Sequence, residues 1–189
     1  LKWNEFNSNS RIFDCGNGGG DTDSIKLWTK QFNGYVGSCT NYYNCLSSGT
    51  DGCLGYCSYD GNCCSAIAST GPFDFSIYQG STEKIVSSSS SSELASGIRY
   101  HIVATVSGTT MTYYLNGVKK GETSGGWEPN AMTRSHCNIG GFGSPDRIGS
   151  LGGEVSSLEI YSGAMTQAEV TAAYEAAFPI LEYFWDFTG

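Results

Sequence analysis

Eighteen acidic residues and two histidines set what reactive chemistry this chain of 189 residues can carry. Retaining glycoside hydrolysis needs two carboxyl groups about 5–5.5 Å apart, which on a strand means acids two or four residues apart on one face. Glu154 and Glu159 are five apart, so alternation sends them to opposite faces, and Glu182 and Asp186 are interrupted by apolar bulk. His101 falls in a strand pattern with no carboxylate or nucleophile near it in sequence, and it reads as a packed or surface residue rather than a general base. No Gly-x-Ser-x-Gly elbow, His-Glu-x-x-His pair or phosphate-binding loop occurs, and the glycines at 16–20 do not open a helix. The sequence therefore predicts no enzyme and no catalytic residue.

Binding chemistry has more support. Ca²⁺ takes grouped oxygen ligands, and Asp21, Asp23 and Asp146 lie in Gly-rich loops. They are weak candidates, because the stretch 21–23 lacks the rest of a calcium loop and loop aspartates far more often cap turns. No other metal and no other cofactor is expected. Those aspartates, with Trp127 and the surface tyrosines, are where sugar contact would be sought.

The eight cysteines carry the clearest signal. Six crowd into one window, Cys39, Cys45, Cys53, Cys57, Cys63 and Cys64, while Cys15 and Cys137 fall in predicted strands. Zinc is the competing reading, but His101 and His136 lie outside the window and no paired Cys-x-x-Cys knuckles are present. An even, dense set of this kind marks disulfides and an oxidising compartment, so the chain is expected outside the cell or on its surface. Connectivity is not readable from spacing, beyond the expectation that adjacent Cys63 and Cys64 bond to different partners. The unbroken run Ser87, Ser88, Ser89, Ser90, Ser91 and Ser92 reads as a flexible loop, with O-glycosylation as its alternative, and no Asn-x-Ser/Thr acceptor occurs.

These residues need a frame. Hydrophobic residues at 39% suffice for one core, and the 26 glycines with abundant Ser and Thr suit many short strands joined by turns. A net charge of −8, with Lys119 and Lys120 the adjacent basic pair, argues against nucleic acid or an anionic membrane as partner. No apolar run approaches a membrane span, and the opening residues Leu1, Lys2 and Trp3 read as domain sequence rather than a leader. Strands are predicted at 10–15, 24–28, 100–106, 111–115, 118–120, 138–140 and 153–161. A further strand at 73–78 places Phe73, Phe75 and Ile77 inward. Asn116-Gly117 is the pair preferred in a tight type I′ hairpin turn. Residues 33–65 read as a loop insertion held by its own disulfides. One helix follows: Thr166 and Glu169 form a capping box, Val170, Ala173, Tyr174 and Ala177 recur at helical spacing, and Pro179 ends it.

The ordered series of these elements resembles the laminin G-like jelly roll of the concanavalin A-like lectin/glucanase class, of the kind found in extracellular proteins of microalgae and protists. The segments that carry the resemblance include Arg11-Ile12-Phe13-Asp14 before a Gly-Asn-Gly turn and the strand led by Tyr100 and His101. Tyr114-Leu115-Asn116-Gly117, Ile139-Gly140-Gly141, Gly153-Glu154-Val155 and the helix after Met165-Thr166 continue it. The resemblance implies an all-β, two-sheet antiparallel sandwich spanning 1–189 as one module, with one short C-terminal helix and a disulfide-rich insertion. The Glu-x-Asp-x-x-Glu motif of the class's glucanases is absent.

The ends depart from the family order. The family opens on a Trp-Asp-Phe-x-Gly strand, whereas here Tyr183, Phe184, Trp185, Asp186 and Phe187 bring that pattern to the C-terminus. A sandwich short of a strand exposes unpaired backbone groups. Residues 181–189 are thus expected to complete this module or a neighbouring one. The resulting expectation is an extracellular structural or adhesive module, a repeat or subunit of a surface fibre built by strand exchange between copies or neighbouring modules. The alternative is a glycan-binding lectin, Ca²⁺-dependent if the loop aspartates serve.

Overall fold

The computed structural model describes residues 1–6, 10–17, 22–29, 70–90, 93–141 and 151–179. Strands β1 (Lys2–Glu5), β2 (Arg11–Gly16), β3 (Ile25–Trp28), β4 (Thr70–Gly71), β5 (Asp74–Gln79) and β6 (Thr82–Ser87) are followed by β7 (Leu94–Ala95) and β8 (Ile102–Ser107). Then come β9 (Thr110–Leu115), β10 (Val118–Thr123), β11 (His136–Ile139), β12 (Gly152–Glu154) and the helix α1 (Gln167–Ala177). A five-stranded sheet runs β11-β2-β3-β5-β6 and a three-stranded sheet β10-β9-β8, with two-stranded pairs β1-β12 and β4-β7. Every pairing is antiparallel, as expected for an all-β sandwich.

Period-two alternation builds the core. Phe75 and Ile77 of β5 and Val86 of β6 face Met111, Tyr113 and Leu115 of β9, with Phe73 and Ile12 in the same cluster. Phe73 meets Tyr113 with ring centroids 5.0 Å apart. Trp3 of β1 is fully buried, stacked on Phe6 at 5.2 Å and edge-on to Tyr100 at 6.4 Å. The inward set expected at 73, 75 and 77 is therefore the set observed. A bulge between Arg11 and Phe13 turns Ile12 into the core.

The hairpin turn has left-handed Asn116 (φ 50°) and Gly117 (φ 79°), as an Asn-Gly pair permits. Asn116 also closes it from the side: its Oδ1 accepts the His101 N–H at 2.9 Å, while its own N–H donates to the His101 carbonyl at 2.8 Å. The capping box forms as expected, Thr166 Oγ1 accepting the Glu169 N–H and Glu169 accepting the Thr166 N–H. The helix clamps the turn, since Gln167 Nε2 and Thr171 Oγ1 both donate to the Gly117 carbonyl and Tyr174 packs on Gly117. Val170 is buried and Ala173 and Tyr174 half-buried, but Ala177 is exposed, so the packed stripe ends one turn early.

Two expectations are corrected and one strand is added. The strand expected over 153–161 is confined to Gly152–Glu154: its ladder with β1 ends at Lys2↔Glu154, and Ile160 and Tyr161 are 77% and 61% exposed with no strand beside them among the described residues. Strand β6 was not expected, because Thr82, Glu83 and Lys84 mask the alternation that Val86 completes. Ser87 is not loop but the last residue of β6, opposite Asp74. Ser88 is anchored by its N–H on the Phe73 carbonyl, and its hydroxyl bonds the backbone of Ser90.

Candidate functional site

The side of the five-stranded sheet turned away from the core concentrates its charges. The register sets Asn138, Asp14, Lys26 and Ser76 in one row across β11, β2, β3 and β5. Tyr78 stands opposite Glu83, and Trp28 lies between Arg11 and Asp74. Alternation places these side chains here because Ile25, Leu27, Phe75 and Ile77 take the apolar side. The face is nonetheless closed, with Asp14 5%, Lys26 1%, Ser76 0% and Tyr78 9% exposed.

Buried charge is tolerated only when paired or hydrogen-bonded. Arg11 donates to the Asp14 carboxylate and lies 5.9 Å over the Trp28 ring, whose Nε1 donates to Ser76 Oγ at 3.0 Å. The Lys26 ammonium sits 4.5 Å over the Tyr78 ring, and the Tyr78 hydroxyl is hydrogen-bonded to Glu83. Burial, with Arg11 nearby, lowers Lys26 to about 8 against the pull of Asp14 and Glu83. Burial raises Asp14 above the ordinary carboxylate range despite Arg11, and burial with the Glu83 hydrogen bond raises Tyr78 well above its usual value. The result is a cross-braced polar network. Its carboxylates are held by Arg11 and Tyr78, and its two aromatic faces are covered by cations.

The residues singled out from sequence distribute as follows. Cys15 and Cys137 are disulfide-bonded to each other, tying β2 to β11 at directly opposed positions. Cys39, Cys45, Cys53, Cys57, Cys63 and Cys64 lie outside the described residues, as do Tyr183, Phe184, Trp185, Asp186, Phe187, Ser91, Ser92, Asp21 and Asp146. Asp23 adopts a left-handed φ of 53° and works as a turn brace: its Oδ1 accepts the Gly80 N–H at 2.7 Å and the Asn130 amide at 3.2 Å, and its carbonyl accepts Arg134 Nε at 2.8 Å. Among the described residues no three His, Cys, Asp or Glu gather as a metal cage. Trp127 donates its indole N–H to the Ile77 carbonyl at 3.2 Å, with Lys84 5.4 Å over its ring. His101 is half-buried beside Tyr174, ring centroids 6.1 Å apart, and burial lowers its pKa. His136 is exposed and bonded to Ser135. The network of Arg11, Asp14, Lys26, Trp28, Tyr78 and Glu83 was not foreseen, and its one sequence signal is Trp28 and Tyr78 on the polar side of their strands.

A sequence profile of the family described as the concanavalin A-like lectin/glucanases superfamily, laminin G type, matches residues 19–171. The 2.1 Å crystal structure of an S-layer domain-containing protein (residues 221–444) from Clostridium thermocellum ATCC 27405 is similar at 19% identity and a TM-score of 0.36. The alignment covers 88% of this chain and 63% of that one, so the chain spans less than two thirds of its length. A comparison with curated proteins gives no significant match. With the profile covering most of the sandwich just described, the chain belongs to the concanavalin A-like lectin/glucanases superfamily as a laminin G-like domain.

Proposed function

We propose that this chain is an extracellular structural or adhesive module, a non-catalytic member of its family that serves as a repeat or subunit of a surface fibre and joins copies through residues 183–187. The observation that carries the reading is the closed polar face. The carboxylates and aromatic rings that a sugar-processing or sugar-stacking site would use are engaged by Arg11, Lys26, Tyr78 and Ser76 within the fold. Domains of this family are typically binding modules rather than enzymes, and usually extracellular. The disulfide between Cys15 and Cys137 fits an oxidising compartment. None of the described helices is long and apolar enough to cross a membrane.

Sizing and negative-stain electron microscopy of the full chain, beside a variant ending at Pro179 whose folding is verified by its melt, test this reading. Fibres or oligomers that vanish on truncation are expected. Monomer in both samples would overturn the fibre and favour the second reading, a carbohydrate-binding module, which family membership supports. Glycan arrays with and without Ca²⁺ would then address that reading and the loop aspartates, and intact mass would address glycosylation of Ser87 to Ser92.

A further inference from the structure

The edges of the sandwich are not equivalent. In the three-stranded sheet, β10 is blunted by Lys119, Lys120 and Glu122 and by a bulge before Gly121. The opposite edge, β8, has six residues, Ile-Val-Ala-Thr-Val-Ser, with no charge and no proline. Its backbone directions follow from its neighbours. His101 exchanges hydrogen bonds with Asn116 on the β9 side, whereas Tyr100 exchanges them with Leu1 on the other side. Alternation therefore turns the N–H and C=O groups of Ile102, Ala104 and Val106 away from β9. Among the described residues no strand takes them. The side chains of the same three residues pack against the core.

We infer that this lane beside β8 is the docking site for residues 183–187 of a second copy, added as an antiparallel strand. The inference rests on the self-assembling module proposed above and gives it an address. Three observations select this occupant. β1 already enters the lane antiparallel, with Lys2 bridged to Arg99, so a donor running with β1 extends a ladder that exists. In sequence Tyr183, Trp185 and Phe187 alternate with Phe184 and Asp186, so a strand formed by 183–187 would offer one wholly aromatic face to a lane with one apolar side. Chain length then favours another copy. The far end of α1 stays by the start of β8, Phe178 lying 5.4 Å from the Tyr174 ring and Tyr174 6.1 Å from the His101 ring, centroid to centroid, but an antiparallel donor must enter at the Ser107 end. Six strand residues span roughly 20 Å, and the four Cα steps from Pro179 to Tyr183 reach at most about 14 Å.

The test is amide hydrogen exchange of the full chain over a concentration series, with sizing in parallel. Val103, Thr105 and Ser107 are bonded to β9 and stay protected throughout. Exchange at Ile102, Ala104 and Val106 is expected to slow by tenfold or more, in step with the assembled fraction. Assembly that leaves those three amides exchanging freely would overturn the lane while leaving the fibre reading intact. Full protection already in the monomer would overturn the second copy in favour of docking within one chain. Absence of assembly at any concentration would overturn this inference together with the reading beneath it.

Discussion

Lys26 gives the polar network a thermodynamic signature. Its side chain is 1% exposed, and its folded pKa of about 8 lies below the ordinary lysine value of 10.5. Between those values the unfolded chain binds more protons at this site, so unfolding becomes less favourable as pH rises. The site is thus a cost below the folded pKa that is relieved on going alkaline. Integrating the two titrations from near pH 7.5 to near pH 9.5 gives a gain of about 2 kcal/mol, with one pKa unit worth roughly 1.4 kcal/mol. The gain ends above about pH 10. There the raised pKa values of Tyr78 and Tyr113 make the folded state hold protons that the unfolded state releases, and stability falls. Among the described residues, the groups facing Lys26 that shape the curve are Arg11, Asp14, Glu83 and Tyr78. Urea unfolding of the wild type and of Lys26→Met at both pH values isolates the lysine, because slopes rather than absolute stabilities are compared. The wild type should gain about 2 kcal/mol more than the variant over that window. Equal slopes would show that the Lys26 ammonium is not strained and would refute the burial argument.

Three further substitutions probe the frame. Gly153→Ala drives a Cβ into the Lys2 carbonyl and to 3.0 Å from Trp3 Cα, so β1 must shift, with an expected loss on the order of 1–3 kcal/mol in chemical denaturation. A wild-type midpoint would show that β1 and β12 do not approach so closely. Asn116→Ala removes the acceptor for the His101 N–H and sets a Cβ-bearing residue of low left-handed propensity at φ 50°; about 1–2 kcal/mol of stability should go, and Asn116→Gly should recover the backbone part of it. Replacing Cys15 and Cys137 together by alanine opens a loop of sequence separation 122; chain entropy puts the loss at up to about 5 kcal/mol, less to the extent that cross-links inside the loop shorten it, and a thermal melt of the double variant reads it.

Where a pattern is local and one physical cause governs it, the sequence was legible. The Asn116-Gly117 turn follows from left-handed φ, the Thr166–Glu169 box from orphan helix N–H groups, and the inward Phe73, Phe75 and Ile77 from alternation. What escaped depends on partners distant in sequence. The pairing of Cys15 with Cys137 requires β11 to lie against β2 across 122 positions. The early end of β12 depends on where β1 stops opposing it. Strand β6 needs the β5 ladder to become visible behind its charges.

The polar network escaped for a different reason. Alternation tells which side of a strand is apolar, but not whether the other side meets water. Lys26 between Ile25 and Leu27 has the pattern of a solvent-facing lysine, and only its 1% exposure shows otherwise. The same holds in β9, where Thr112 and Tyr114, on the side opposite Met111, Tyr113 and Leu115, are 5% and 8% exposed. The central strands of both sheets are thus closed on both faces. Strand addition therefore concerns the edges of these sheets. Of the two edges of the three-stranded sheet, β10 carries the charges that discourage strand addition and β8 does not. That asymmetry makes the backbone of Ile102, Ala104 and Val106 the place to measure first.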